Sequence, residues 1–340
     1  MDSEDQLVNR IAKAIPSWQG TVSRKSLQGG LRLGIGDDSA VISPDGKTDW
    51  VISCDAFMQD VHFLPDLHPP DSVGYKCLVR ATSDLAAMGA TPRLFLLTLA
   101  LPNRCLGSWL DGFLVGMGRA ARQLGMRLAG GDTTRFSTVS ISITVLGEIP
   151  HTLAVTRAGA KPGDLIYVSG RLGGAQLGLE LITKGFRKNR RYGPLLRPHL
   201  YPEIRLKLGA WLAQHRVASA MMDISDGLST DLPRLCKASG VGARLIAADI
   251  PCVEIPAGLQ KLLPKRDLDP LQMALHGGED YELLFTVPAR KVKHLREAPE
   301  FSELTAVGEI TKKKDLLIVS ADQSQVQKLH SLGWDPFRKR

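Results

Sequence analysis

The sequence predicts an α/β (α+β) fold in two domains, and three observations predict it. Apolar strand-like runs alternate with longer helical patterns rather than gathering into helical blocks. The texture changes over Thr156–Asp164 to Arg, Gly, Lys and Pro, which marks a boundary. At 340 residues and 44% hydrophobic content, the chain can bury a core in each part.

The first part runs to about Pro150. Leu7–Ile15 has the period of a short helix, and Gly29-Gly30 opens a loop. Trp50–Cys54 reads as a strand ending at Asp55. Ser72–Met88 reads as a helix with Asp71 or Ser72 as its N-cap. Leu94–Leu101 is an apolar strand and Leu106–Leu124 an apolar-faced helix. In Val139–Ile149, Val139, Ile141, Ile143 and Val145 share one face of a strand. In the second part, Leu165–Val168 is a strand and Gly174–Thr183 a helix. A basic stretch over 184–202 then reads as a mobile, solvated excursion. Ile204–Gln214 is a helix, Ala220–Ile224 a strand running into Asp226, and Leu228–Ala238 a helix. Arg244–Ala248, Glu282–Val287, Ala306–Ile310 and Leu316–Val319 add strands.

The net charge of +8 is largely local: Lys184, Arg187, Lys188, Arg190, Arg191 and Arg197 crowd one segment, and Arg338-Lys339-Arg340 stand together. With 6% aromatic residues and none interleaved with the basic runs, a nucleic-acid surface is not expected. Attraction of anionic substrates is compatible with the charge. No run of about 18 apolar residues is present, so a membrane span is not expected. Five cysteines without a C-x-x-C, and an acidic Met1-Asp2-Ser3-Glu4-Asp5, point to a reduced cytoplasmic protein without a signal peptide.

Seven aspartates sit in Gly/Ser-flanked strings: Gly36-Asp37-Asp38-Ser39, Ser53-Cys54-Asp55, Ser83-Asp84-Leu85, Gly130-Gly131-Asp132-Thr133-Thr134 and Asp223-Ile224-Ser225-Asp226-Gly227. Aspartate is a short, hard oxygen ligand suited to Mg²⁺, and converging acidic loops repel one another unless cations sit between them. Most of these strings fall at expected strand ends or strand-to-helix turns, where open α/β sheets place their ligands. Each also has a structural reading. Asp37 and Asp38 can form an Asx-turn, or one can bind metal while the other holds the loop. Asp84 is a helix cap or kink residue, or a buried carboxylate that needs a cation. The Gly130–Thr134 string suits a phosphate with its metal, or is a tight turn. Asp226 can cap the helix that follows and bind metal as well. Glu279, in Gly277-Gly278-Glu279-Asp280-Tyr281-Glu282-Leu283, binds a cationic substrate group or starts a strand. Gly46-Lys47-Thr48 is not a Walker A ending, because Val41 stands where its first glycine belongs.

In order along nearly the whole chain, these strings join Val61-His62-Phe63-Leu64, Ser83-Asp84-Leu85-Ala86-Ala87-Met88-Gly89-Ala90 and Thr156–Asp164. The ordered set closely resembles the thiamine-monophosphate kinase family, of the superfamily that includes aminoimidazole ribonucleotide synthetase and selenophosphate synthetase. The resemblance implies an N-terminal domain over 1–152 whose mixed sheet forms a homodimer and which binds ATP and several Mg²⁺ ions. A C-terminal α+β domain over 153–340 completes the site. It further implies Asp38, Ser53, Asp55, Asp84, Asp132, Asp223 and Asp226 as metal ligands. Gly131, Asp132, Arg157 and Ser225 would contact ATP, and His62, Glu279 and Trp334 thiamine monophosphate. Arg157, Asp84 and Asp226 would act in catalysis. Cys54 stands where the family carries a hydroxyl, so no side-chain ligand is carried over to it. Selenophosphate synthesis would want a reactive cysteine near the N-terminus, and the first here is Cys54. The alternatives are a non-catalytic nucleotide or polyanion binder using the basic segment, and a metal-dependent phosphatase. A kinase differs from both in that its ATP consumption requires thiamine monophosphate.

Overall fold

The computed structural model describes residues 4–14, 30–264, 268–296, 302–322 and 324–337. The expectations at Met1-Asp2-Ser3, Ile15, Gly29 and Arg338-Lys339-Arg340 lie outside those residues. The first domain comprises α1 (Glu4–Ala14), β1 (Leu31–Leu33), β2 (Ala40–Ile42), β3 (Thr48–Met58), α2 (Pro70–Ala87), β4 (Thr91–Leu101), α3 (Ser108–Leu124), β5 (Arg127–Arg135) and β6 (Ser140–Pro150). Its strands form one mixed sheet in the order β1-β2-β3-β6-β4-β5, in which only β4 and β5 run parallel. In β6, Ile141, Ile143 and Val145 are buried on the face that α2 covers, while Ser140, Ser142 and Thr144 lie on the other face.

The second domain comprises β7 (Asp164–Ser169), α4 (Gly174–Thr183), α5 (Gly193–Leu200), α6 (Leu206–Gln214), β8 (Ala220–Asp223), α7 (Leu228–Ser239), β9 (Gly242–Ile246), α8 (Ala257–Gln260), α9 (Pro270–His276), β10 (Leu283–Pro288), α10 (Val292–Arg296), β11 (Leu304–Thr311), β12 (Leu316–Val319) and β13 (Val326–Lys328). The sheet order is β13-β12-β9-β11-β7-β10-β8, with β9 and β12 the parallel pair. Alternation along its strands divides the apolar residues between two cores. Tyr167, Met221, Phe285 and Val287 join the core of the first domain, whereas Ile166, Val168, Met222 and Leu284 pack with Leu228, Leu232 and Leu235 of α7.

Helix α2 connects the domains. It packs on β3, β6 and α3 of its own domain and on α6 and β8 of the other, so nearly all its residues are buried. It begins at Pro70, and neither Asp71 nor Ser72 caps it: a proline at the first turn leaves one fewer N–H to satisfy. Gly89, at φ +75°, ends it. Against α6 the approach is so close that a Cβ on Gly209 would stand 2.1 Å from the Ala86 carbonyl oxygen.

Three expectations are corrected. Asp55 lies inside β3, which continues to Met58 as a partner of β6. Gly130–Thr134 is part of strand β5 rather than a turn. All its side chains are exposed, so no apolar period signals it, and a Cβ on Gly131 would meet the Leu97 carbonyl oxygen at 1.8 Å. The basic stretch is no mobile linker. It forms two 3₁₀ turns, Phe186–Lys188 and Arg190–Tyr192, and then α5, which buries Leu196 and Leu200 beside Tyr192 against Leu177 and Leu181 of α4. Pro194 and Pro198 and the arginines disguised this amphipathic stretch. Among the described residues no helix is long and apolar enough to cross a membrane.

Candidate active site

A cleft of about 1460 Å³ opens where the two domains meet. Asp38 lines it from the loop before β2 and Asp84 from the last turn of α2, and Asp223 stands beside them at the end of β8. Ligand oxygens of these three lie within 4.8 Å of one another. Burial, together with Asp55, Asp223 and Asp38, pushes the Asp84 carboxyl well above the ordinary carboxylate range. Burial and Asp38 likewise raise Asp223 to about 7. Hydroxyls brace the cluster from behind: Ser53 Oγ donates to Asp84, and Ser83 Oγ to Asp223 at 2.6 Å.

Asp37 and Asp38 point to different partners. Asp37 holds the loop by accepting the backbone N–H groups of Asp38 at 3.0 Å and Arg157 at 3.1 Å. Asp38 faces the cluster, where Arg157 Nη2 donates to its Oδ1 at 2.6 Å. Its Oδ2 is buried without a hydrogen-bond partner. A carboxylate oxygen left bare in such a place, among two more acids of raised pKa, fits a hard divalent cation of the Mg²⁺ type.

Other expected residues line the same cleft: Ser53, Asp55, His62, Arg157, Ser225, Asp226, Glu279 and Trp334. Asp55 accepts from Arg80 Nε at 3.0 Å. Asp226 does not cap α7. It pairs with Arg234, and Asp231 accepts the backbone N–H groups of Ser225 (3.1 Å) and Asp226 (3.0 Å) instead. The Trp334 N–H reaches the Asp226 carbonyl at 2.9 Å, drawing the C-terminal segment to the cleft wall. His62 Nδ1 accepts the Met58 N–H at 3.0 Å, and burial, with Arg80 nearby, pulls its pKa down to about 4.

The acidic string after α9 separates into three tasks. Glu279 pairs with Lys76 at 2.6 Å. Asp280 accepts from Gly173 N (2.6 Å) and Ala175 N (3.0 Å) at the start of α4. Glu282 receives two hydrogen bonds from Arg205, each 2.6 Å. Glu279 and Tyr281 hold positive φ angles of 69° and 53°, fixed by hydrogen bonds from their N–H groups to Ser225 and Ile224 carbonyls.

Gly131 and Asp132 are not among the residues that line the cleft. In register, Asp132 stands beside Thr98, Ser142 and Ala56 on the outer face of the sheet, three strands from β3. At ~4.8 Å per strand that is on the order of 14 Å from the cleft edge, too far to share an ion with Asp55. Cys54 is on the same outer face, beside Ser142 and Thr144.

The sequence reading missed Lys76, Arg80, Arg234 and Asp231. A signal existed for two of them: Lys76, Arg80 and Asp84 recur every four residues on an otherwise apolar helix, which sets them on one face.

Comparison with known proteins covers most of the chain. Residues 36–149 match the family described as AIR synthase related protein, N-terminal domain, and residues 161–319 its C-terminal domain. The chain is 40% identical over 265 residues to thiamine-monophosphate kinase of Escherichia coli strain K12, covering 76% of this chain and 77% of that protein. It is 32% identical over 313 residues to thiamine-monophosphate kinase of Bacillus subtilis strain 168, covering 90% and 94%. Among solved structures it is similar to AaThiL complexed with AMPPCP and TMP, with a TM-score of 0.82 at 29% identity over 98% of this chain and 97% of that one.

Proposed function

Because the chain belongs to the thiamine-monophosphate kinase family of AIR synthase-related proteins, we infer that it transfers the γ-phosphoryl group of ATP to thiamine monophosphate, giving thiamine diphosphate and ADP. The carrying observation is the Asp38–Asp84–Asp223 cluster, with its bare buried oxygen, in a cleft roomy enough for two phosphorylated ligands. The similar AaThiL structure carries an ATP analogue and TMP together.

Mg²⁺ held by Asp38, Asp84 and Asp223, with Ser53, Asp55 and Asp226 as further ligands, would neutralise phosphate charge and align the two ligands. The chain's own residues orient and stabilise. The acceptor is a phosphate whose second pKa is about 6, so it is largely ionised at neutral pH and no side chain need remove a proton from it. Arg157 presents its guanidinium to the reacting phosphates: Nε and Nη2 are held by Asp38, while Nη1 has no protein acceptor among the described residues. Ser225 offers a hydroxyl to the nucleotide from the turn that Asp231 braces. His62, Glu279 and Trp334 form the wall for the thiamine moiety.

We also assign a homodimer. Among the described residues nothing covers the outer face of the first sheet, which carries exposed Leu96 and Leu128 beside Cys54, Ala56 and Thr98. Packing two such faces together brings Gly131 and Asp132 of one protomer toward the site of the other, the role that their own protomer's geometry denies them.

A product assay tests the reading. With ATP, Mg²⁺ and thiamine monophosphate, thiamine diphosphate and ADP should form in equal amounts. ATP consumption that ignores thiamine monophosphate would overturn it.

A further inference from the structure

The family reading leaves Lys76 and His199 without a role, although both are almost wholly buried beside the cleft. The Lys76 ammonium, whose side chain is 2% exposed, lies 2.6 Å from Glu279 Oε2. His199 Nδ1 lies 3.4 Å from the same oxygen. His199 Nε2 is 2.8 Å from His68 Nε2, and His68 Nδ1 accepts the Leu64 N–H at 3.1 Å. His68 Nδ1 is also 3.1 Å from the Leu64 carbonyl oxygen, and the Lys76 ammonium is 3.5 Å from His199 Nδ1, so Lys76 makes the hydrogen bond to Glu279 while the two imidazoles pack behind it. Two segments thus reach one carboxylate oxygen of the strained Glu279 turn, α2 through Lys76 and α5 through His199, and the loop after β3 backs His199 through His68.

Both contacts fall on Oε2. Oε1 receives no hydrogen bond among the described residues, and Glu279 lines the cleft. The charge of this carboxylate is also largely balanced. Burial alone would push its pKa up, yet Lys76 and His199 hold it at about 2. An ionised, fixed oxygen with one open acceptor position suits a neutral N–H donor better than a loose counter-cation. Thiamine monophosphate has one such donor outside its phosphate, the exocyclic amine of the aminopyrimidine.

We propose that Lys76 and His199 fix Glu279 so that its open oxygen reads the exocyclic amine of the substrate, which makes Lys76 a positioning residue for substrate specificity. The proposal rests on the reading of Glu279 as a wall of the thiamine site. The α5 segment is thereby part of the substrate site and not only a surface insertion.

Steady-state kinetics with thiamine monophosphate and its 4′-oxo analogue, which lacks the amine, test it. In the wild type, kcat/KM should favour the amine by roughly 10- to 100-fold, the worth of one hydrogen bond to a charged group. Lys76→Met should raise KM for thiamine monophosphate and collapse that preference toward unity, with KM for ATP unchanged. Lys76→Arg should keep part of the preference. Since Lys76→Met strands a buried carboxylate, the double variant Lys76→Met/Glu279→Gln supplies a folded comparison and should be equally indiscriminate. If Glu279→Gln loses the preference while Lys76→Met, folded, keeps it, the positioning role is wrong. If Glu279→Gln itself discriminates like the wild type, the placement of Glu279 at the thiamine site is wrong.

Discussion

Arg157 gives two hydrogen bonds to one oxygen of Asp38, from Nε at 3.2 Å and Nη2 at 2.6 Å, while the other oxygen of Asp38 is buried and bare. The pair joins the loop before β2 to the linker before β7. The arginine sets one positive charge beside the three acids and leaves the second oxygen of Asp38 to the cluster. The acidic site is therefore built to be short of positive charge until a cation arrives.

A trade between stability and activity follows at Asp84. Asp84→Asn removes a repelled, desolvated acid, so the metal-free variant should melt higher than the metal-free wild type by the equivalent of ~1–2 kcal/mol. Turnover should fall by about 100-fold or more, since an oxygen of the proposed metal site is lost. Calorimetry and the product assay check both signs together. A variant that melts lower and keeps its activity would remove Asp84 from the metal site.

Much of this site was legible in the sequence because aspartate beside glycine or serine is informative wherever it occurs. The five strings named their residues, and Asp38, Asp84 and Asp223 do converge. What stayed hidden depended on long-range pairing. Lys76 reads as one lysine in an apolar helix until Glu279 arrives from 203 residues away. β5 carries no apolar period because neither of its faces is covered by the described residues, so its glycines read as a turn. The basic stretch showed its charges and prolines, whereas Tyr192, Leu196 and Leu200 disclosed a core only once α4 lay beneath them.

Asp132 offers a test of the dimer. Its side chain is not among those that line the cleft, and the proposed dimer would bring it to the site of a second copy. Asp132→Ala and Asp84→Ala should each be inactive alone. Mixed after dissociation and reassociation, they should recover roughly a quarter of wild-type activity, because random pairing leaves one intact site in each mixed dimer. Recovery of nothing, with mixed dimers demonstrated by mass, would place Asp132 outside the partner's site.

Two helical glycines should respond to alanine with opposite signs. Gly118 of α3 meets only the Arg122 guanidinium, at 3.4 Å, so Gly118→Ala should stabilise by up to ~1 kcal/mol through helix propensity. Gly209 of α6 abuts the Ala86 backbone two residues beyond Asp84, at 2.1 Å. Gly209→Ala must push the domains apart along α2 and should cost about 1–3 kcal/mol, with a loss of turnover as Asp84 shifts. Urea unfolding of both variants measures the signs. Equal shifts would mean that the interdomain contact yields without strain.

The histidine pair sets an acid limit on stability. Burial and the nearby Lys76 lower His68 from its ordinary 6.5 to about 4, and the same two causes hold His199 well below 6.5. Between pH 6.5 and 4 the unfolded chain therefore binds protons that the folded chain refuses. Stability rises with pH across that window and is level, for these groups, above it. The His68 share is on the order of 3 kcal/mol at most, from 1.36 kcal/mol per pKa unit. His68→Gln can still hydrogen-bond His199 but cannot titrate, so its urea midpoint should fall less steeply from pH 6.5 to pH 4.5 than that of the wild type. Parallel curves would show that His68 takes up its proton in the folded state, so that burial beside Lys76 does not hold it neutral.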